Sequence, residues 1–195
     1  MEYQQTQEQI YEKARDFALP VLQKYYPETT RVHDILLVHS EQVAKRLLRI
    51  AIARPDLNAD WRFVYEAAFL HDIGIFMCNA PSIECFGTHL YIEHGYLGAD
   101  LLRSMNLSRH ALVAERHTGT GITKEQIERE HLPLPDNRIY EPQTIEEQLV
   151  AYADKFYSKT RVGQETPMET VRKKMEKFGE NSVAKFDKWA QLFSE

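Results

Sequence analysis

Four side chains in this sequence could bind one metal ion together. His39 lies on the apolar face of a predicted helix, because residues three, four and seven positions apart align on a helix. His71 and Asp72 are adjacent at the predicted end of another helix, where both could reach one ion beside it. Asp154 follows two apolar residues one turn earlier, so its carboxylate is predicted to face an apolar environment, which is costly without a cation.

The types of these side chains restrict the kind of metal. Two imidazoles and two carboxylates form a mixed nitrogen and oxygen set, which suits Mn, Fe, Co, Ni or Zn, and Mg is also compatible. Such an ion could bind phosphate oxygens and activate water. A histidine taken alone on an apolar helix face is more often a hydrogen-bonded core residue, so only the combination points to a metal centre.

The elements that would position these residues are predicted to be helices. Hydrophobic periodicity marks a first helix with an apolar stripe from Ile10 to Val21. Further helices are predicted at about residues 30–53, 60–71, 89–105, 108–117, 123–131, 144–160 and 167–193, the last with a break near Gly179. No segment shows the alternation of a strand, so the predicted fold class is all-α, a helical bundle.

Composition limits the functions that need to be considered. Hydrophobic residues make up 43% of the sequence and charged residues 27%, which is typical of a globular protein. The net charge of -5 makes a nucleic-acid polymer an unpromising partner. The sequence lacks a signal-like start and any run of about 20 apolar residues. We therefore expect a cytoplasmic protein with no membrane partner.

Three segments of the sequence together resemble a known family. They are VHS at 38–40, FLHDIG at 69–74 and AYADK at 151–155, and in this order they are similar to the H…HD…D motif of the HD superfamily of metal-dependent phosphohydrolases. The resemblance covers about residues 30–160. It implies an HD-type helical bundle in a single domain, 1–195, with an N-terminal helix and a C-terminal helical extension added to that core. It also implies that the metal ligands are His39, His71, Asp72 and Asp154.

Two other segments resemble the additional histidines of dinuclear HD proteins. They are EHGYLGA at 93–99 and AERHTG at 114–119. By this similarity His94 and His117 could hold a second ion that Asp72 bridges to the first, although histidines there could instead bind substrate or support other ligands. One or two ions are therefore expected. Ile75 stands where the cyclic-dinucleotide phosphodiesterases have lysine, which argues against that substrate.

The resemblance implies a metal-dependent phosphohydrolase. We expect it to act on a small phosphorylated substrate, a nucleotide or another phosphate ester, by metal-activated water that Asp72 helps to orient. Positive side chains close to the motifs are candidates for binding phosphoryl oxygens; they are Arg116, Lys155, Lys159 and Arg161.

Two alternatives stay open at this point. The same order of histidines and aspartates resembles the HD-fold mixed-valence di-iron oxygenases, which iron content and oxygen uptake would distinguish from a hydrolase. A noncatalytic, metal-stabilised binding module would instead show metal-linked folding without turnover. The sequence leaves the oligomeric state open.

Overall fold

The computed structural model describes residues 1–195, and its architecture is a bundle of nine α-helices. In chain order the helices are α1 (Glu2–Gln23), α2 (Arg31–Ala53), α3 (Trp61–Leu70), α4 (His94–Ser104), α5 (Ser108–Arg116), α6 (Lys124–Glu130), α7 (Ile145–Asp154), α8 (Met168–Met175) and α9 (Glu180–Leu192). Short 3-10 turns lie at Ile75–Met77, Pro81–Ile83, Tyr91–Glu93 and Glu176–Phe178. The prediction of an all-α fold is confirmed.

Polar caps fix where α2, α3 and α7 begin, and Thr123 caps α6 as well. The side chain of Thr30 accepts a hydrogen bond from the His33 amide at the start of α2, and Asp60 does the same for the Phe63 amide at the start of α3. Thr144 caps α7 in the same way. Because a cap satisfies amides that have no partner within the helix, it fixes the first residue of the helix and hence which face each later side chain occupies.

Helix α3 lies at the centre of the bundle. It packs against α1, α2, α5 and α7, and every one of its residues except Arg62 is buried. One continuous apolar core runs from Tyr11 in α1 to Phe193 after α9 and includes residues of α8 and α9, whereas α6 packs against a separate small cluster of Ile122, Leu134 and Tyr140. That 1–195 forms a single domain stays a prediction, which this shared core supports.

The structure differs from the predicted elements in three places, the first being that α4 begins at His94, after the 3-10 turn Tyr91–Glu93, and not near residue 89. Helix α7 ends at Asp154 and not near residue 160, because the segment after it is held by non-helical contacts such as the Thr166 amide donating to the Phe156 carbonyl at 2.7 Å. A two-stranded antiparallel hairpin, β1 (Asn79–Ala80) and β2 (Cys85–Phe86), lies between α3 and α4. Strands of two residues are too short to show alternation, so the prediction of no strand was wrong there.

No helix in the structure combines the length and the apolar character that crossing a membrane requires.

Candidate metal centre

The four side chains of the H…HD…D motif meet inside the bundle, in what we call the first cluster (His39, His71, Asp72 and Asp154). His39 comes from the middle of α2, His71 and Asp72 from the end of α3, and Asp154 from the last position of α7. His39 Nε2 lies 3.0 Å from Asp72 Oδ2 and 3.1 Å from Asp154 Oδ1. His71 Nε2 lies 2.8 Å and 3.5 Å from the same two oxygens.

The other oxygen of Asp72 faces two more histidines, in what we call the second cluster (Asp72, His94 and His117). Asp72 Oδ1 lies 3.3 Å from His94 Nε2 and 3.5 Å from His117 Nε2. The two Nε2 atoms are 3.1 Å apart. Asp72 therefore serves both clusters, one through each oxygen, and all members of both clusters are buried.

Hydrogen bonds on the far side of three of these rings determine which nitrogen carries the proton. The Nδ1 atoms of His71, His94 and His117 lie 2.7, 2.5 and 2.8 Å from the carbonyl oxygens of Ala68, Tyr91 and Ala114, each three residues earlier in the chain. A carbonyl only accepts, so we assign the ring proton to Nδ1. In a neutral imidazole Nε2 then directs a lone pair into the cluster, as a metal ligand does.

The contacts between imidazoles and carboxylates in the clusters are short, yet they lack the geometry of hydrogen bonds. Neither oxygen of Asp72 has a correctly directed hydrogen-bond partner, although several nitrogens lie within 3.5 Å of them. Lone pairs that face each other at such distances repel unless a metal ion or a proton lies between them. With metal–ligand bonds of about 2.1 Å, ligand atoms around one ion are roughly 3.0–3.4 Å apart, so these residues fit a metal.

The charges of the centre also favour a cation. Burial acts to raise the pKa of both carboxyls, but nearby positive groups outweigh it and hold the pKa of Asp72 and of Asp154 well below the usual range. For Asp72 these groups are His71 and Lys159, and for Asp154 the main one is Lys155. Helices α3 and α7 also end here, and helix carboxyl ends carry partial negative charge. The centre therefore attracts a positive ion.

His71 in the first cluster and His117 in the second differ in their affinity for protons. Burial acts to lower the pKa of His71, but the carboxylates of Asp72 and Asp154 outweigh it and raise the pKa to about 9. Burial dominates at His117 and lowers its pKa to about 4. In the absence of metal, His71 therefore carries a proton near neutral pH, whereas His117 is neutral.

Glycines let the helices approach closely enough for the clusters to form. A Cβ atom on Gly74 would lie 2.3 Å from the His94 carbonyl oxygen, and one on Gly95 would lie 2.8 Å from the Ala114 carbonyl oxygen. No side chain fits at either position. Gly74 thus brings the end of α3 against α4, and Gly95 brings α4 against α5, which carries the residues of the second cluster towards Asp72.

Two of the four predicted phosphate-binding cations reach the centre. Lys159 Nζ lies 2.5 Å from Asp72 Oδ2, and Lys155 Nζ lies 2.7 Å from Asp154 Oδ2. Arg116 instead pairs with buried Glu147 at 3.0 Å, so its guanidinium is held within the fold. Arg161 is exposed and forms no ion pair. Phosphate binding by any of the four stays a prediction.

A cavity of about 560 Å³ opens beside the first cluster. Asp154, Lys159 and Tyr91 line its inner side. Its other polar lining comes from residues that the sequence did not single out, which are Asn79, Ser82, Ser158 and Thr160. They belong to the hairpin and to the segment after α7, where no helical periodicity exists to mark a face. A ligand in this cavity would lie against Asp154 and Lys159.

Comparison with known proteins agrees with this geometry. The HD domain family matches residues 36–158, a range that contains all members of both clusters. The chain is 38% identical over 130 residues to the tRNA (cytidine(56)-2'-O)-methyltransferase of Picrophilus torridus, covering 66% of this chain and 33% of that protein. It is 34% identical over 158 residues to the protein of the same name from Thermoplasma volcanium, covering 80% of this chain and 42% of that protein.

The alignment with a third relative covers a larger share of that protein. It is an uncharacterized protein of Methanocaldococcus jannaschii, 37% identical over 131 residues, which are 67% of this chain and 68% of that protein. The chain thus spans only about a third to two fifths of the two methyltransferases that it matches, but about two thirds of this relative. No solved structure matches the chain significantly.

These relatives correct the predicted activity and partner, and they support the family. The prediction of a phosphohydrolase of small phosphorylated compounds is contradicted, because the two named relatives are methyltransferases. The prediction that a nucleic-acid polymer is an unpromising partner is contradicted too, because the substrate in their names is a tRNA. The net charge was a poor basis for that prediction, because it averages over the whole surface and cannot reveal a local basic face. Both the matched range and the buried clusters within it show that the chain belongs to the HD domain family.

Proposed function

We propose that this chain functions in the 2'-O-methylation of tRNA, as a metal-binding HD unit that contacts the tRNA. The observation that carries the proposal is its similarity to two proteins named tRNA (cytidine(56)-2'-O)-methyltransferase, 38% and 34% identical. Because the chain spans only part of those proteins, we assign it a share in the reaction and not the whole methyl transfer.

In this proposal the metal centre is part of what the chain contributes to the reaction. In the proposal one divalent ion binds the first cluster and a second binds the second cluster, with Asp72 between them. Each set contains two imidazole nitrogens, which favours Mn, Fe, Co, Ni or Zn over Mg. When bound, such ions would neutralise the carboxylates and coordinate an oxygen of the ligand, for which RNA offers phosphate and ribose oxygens. Lys159 and Tyr91 would line the path of that ligand.

A local basic face supports an RNA partner despite the net charge of -5. We call it the α8 face; it consists of four cations that form no ion pair, namely Arg161, Lys173, Lys174 and Lys177. The charges of Arg161 and Lys177 help burial to lower the pKa of Lys174, so these groups lie close together. Uncompensated cations of this kind attract a phosphate backbone.

The α8 face is connected to the metal centre by the chain itself. Arg161 follows two residues after Lys159, whose ammonium contacts Asp72. By contrast, Arg172 on the same helix is paired with Asp187 at 2.8 Å and is not part of the face. In the proposal the tRNA backbone lies on the α8 face, and one of its nucleotides reaches the cavity beside Asp154.

Binding of a tRNA transcript, measured by fluorescence anisotropy over a range of salt concentrations, tests this proposal. We expect binding that weakens with salt, and that weakens about tenfold or more in the triple variant Arg161→Ser, Lys174→Ser and Lys177→Ser. Each lost phosphate contact should also reduce the slope of log affinity against log salt by about 0.7–0.9.

A matched control removes the same charge elsewhere. Lys13, Lys24 and Lys124 are exposed and unpaired, and none of them belongs to the α8 face. Replacing these three by serine should leave tRNA affinity nearly unchanged. The proposal fails if the wild-type chain does not bind tRNA, or if both triple variants lose affinity equally.

A further inference from the structure

The positively charged side chain of Lys159 already lies at the metal centre. The ammonium of Lys159 lies 2.5 Å from Asp72 Oδ2, and its side chain is only 12% exposed. The same oxygen faces His39 at 3.0 Å and His71 at 2.8 Å. A metal in the first cluster would need this oxygen, so the ion and the ammonium would compete for one atom.

The contact between Lys159 and Asp72 neutralises the negative charge of a buried carboxylate. Asp72 is fully buried, and a buried carboxylate without a cation would be strongly unfavourable. Lysine has three donors and no acceptor, so its ammonium can neutralise a carboxylate but cannot share that oxygen closely with a divalent ion.

The ammonium of Lys159 also has alternative partners in the cavity. It lies in the non-helical segment after α7, and its side chain lines the cavity of about 560 Å³. The ring of Tyr91 is 6.0 Å from Lys159 Nζ, within the range of a cation–π contact. Ser158 and Thr160 add hydroxyl acceptors in the same cavity. The ammonium could therefore leave Asp72 without losing all its partners.

We propose that Lys159 is a tethered counter-cation that competes with the metal for Asp72 Oδ2. It stabilises the metal-free protein, lowers the affinity of the first cluster for metal, and moves into the cavity when an ion binds. Metal binding would thereby place a positive side chain where an anionic ligand enters. Lys159 contacts Oδ2 and not Oδ1 of Asp72, so it would not compete directly for the oxygen that faces His94 and His117 in the second cluster.

Metal affinity of the full chain and its variants tests the proposal. Lys159→Met keeps the length of the side chain and removes its charge. We expect it to bind Mn²⁺ or Zn²⁺ in the first cluster about tenfold or more tightly than wild type, in competition with a chromophoric chelator. Its metal-free form should melt at a lower temperature than wild type. Equal or weaker metal binding would overturn the proposal.

Lys155→Met is the matched control. Lys155 is as buried as Lys159, but it contacts Asp154 Oδ2, at 2.7 Å, and not the oxygen that faces His39 and His71. We expect its metal affinity to rise less than about threefold. An equal rise in both variants would mean a general effect of charge and would reject competition for one atom.

A measurement on the wild-type chain avoids any failure of the variants to fold. Acylation of lysines, followed by mass spectrometry, should modify Lys159 faster once Mn²⁺ is bound, because its ammonium then leaves Asp72. The rate at Lys155 serves as the internal reference. A rate at Lys159 that stays constant or falls on adding metal would contradict the proposed displacement.

Discussion

The two clusters share Asp72 but differ in what neutralises them before a metal arrives. In the first cluster Lys159 contacts Asp72, and the carboxylates raise the pKa of His71 to about 9. In the second cluster burial lowers the pKa of His117 to about 4, and no lysine pairs with Asp72 Oδ1, the oxygen that faces His94 and His117. A metal entering the first cluster must therefore displace a proton and an ammonium, whereas His117 in the second cluster is already neutral. The two clusters, with four and three residues, are therefore expected to differ in metal affinity for reasons beyond the number of ligands.

Replacing Asp72 should have the largest effect, because it removes one ligand from both clusters. We expect Asp72→Ala to lose bound metal from both, as measured by elemental analysis of the purified protein. It also leaves Lys159 and several imidazoles without their buried counter-charge. Circular dichroism must therefore show that the variant is folded. Full metal content in the folded variant would contradict the shared site.

Replacing single histidines should separate the clusters. His94→Ala removes a ligand of the second cluster only, so one ion should remain bound in the first. His71→Ala should have the opposite outcome, with the ion of the second cluster retained. Elemental analysis after dialysis against a weak chelator gives both numbers. If the two variants lose the same ion, or if each loses all metal, the two clusters do not bind independently.

The pH dependence of stability should distinguish the metal-free from the metal-bound protein. The pKa of His71 is raised from 6.5 to about 9 in the fold, so its contribution is complete below 6.5 and is lost as pH rises through 9. We expect metal-free protein to lose stability between these values, on the order of 1–3 kcal/mol. Saturating metal should abolish this loss, since the metal replaces the proton.

The stability of the metal-free protein at acidic pH tests the second cluster. The pKa of His117 is lowered from 6.5 to about 4, so the unfolded chain takes up a proton before the folded one does. Stability of the metal-free protein should therefore also fall as pH decreases from 6.5 towards 4. Urea unfolding followed by circular dichroism measures both sides. A metal-free stability that is flat from pH 6.5 to 9 would contradict the raised pKa of His71.

The smallest expected effect lies outside both clusters. Thr144 caps α7 ten residues before Asp154, and Thr144→Ala should cost about 1 kcal/mol of stability through the lost cap. Metal content should not change, because the cap does not touch the centre. Urea unfolding and elemental analysis of one sample check both expectations. A loss of metal would mean that the start of α7 controls the position of Asp154 more strongly than we infer.

Much of this arrangement could be predicted from the sequence. Hydrophobic periodicity located the helices that carry His39 and Asp154, and the order of the three motif segments indicated that their polar side chains meet. This worked because each residue lies in or directly beside a helix, where a regular repeat relates sequence to face. The two histidines of the second cluster were found by resemblance alone, and their convergence on Asp72 depends on glycine contacts that no repeat reveals.

The remaining features could not be predicted, for a physical reason. Lys159 and Ser158 lie after the end of α7, in a segment whose path is set by tertiary contacts and not by periodicity. The hairpin that supplies Asn79 and Ser82 to the cavity is equally irregular. Sequence therefore indicated that lysines are close to the motif but not that one of them contacts Asp72. The partner was misjudged because the charge of the whole chain hides the α8 face.

The most direct test of the metal centre is anomalous diffraction from crystals of the chain grown with Mn²⁺. We predict one anomalous peak about 2.0–2.3 Å from the Nε2 atoms of His39 and His71 and from Asp72 Oδ2, with Lys159 turned away into the cavity. A second peak between Asp72 Oδ1, His94 and His117 would establish the dinuclear form. Crystals with no peak at either cluster, or with Lys159 still on Asp72 beside a bound ion, would contradict this account.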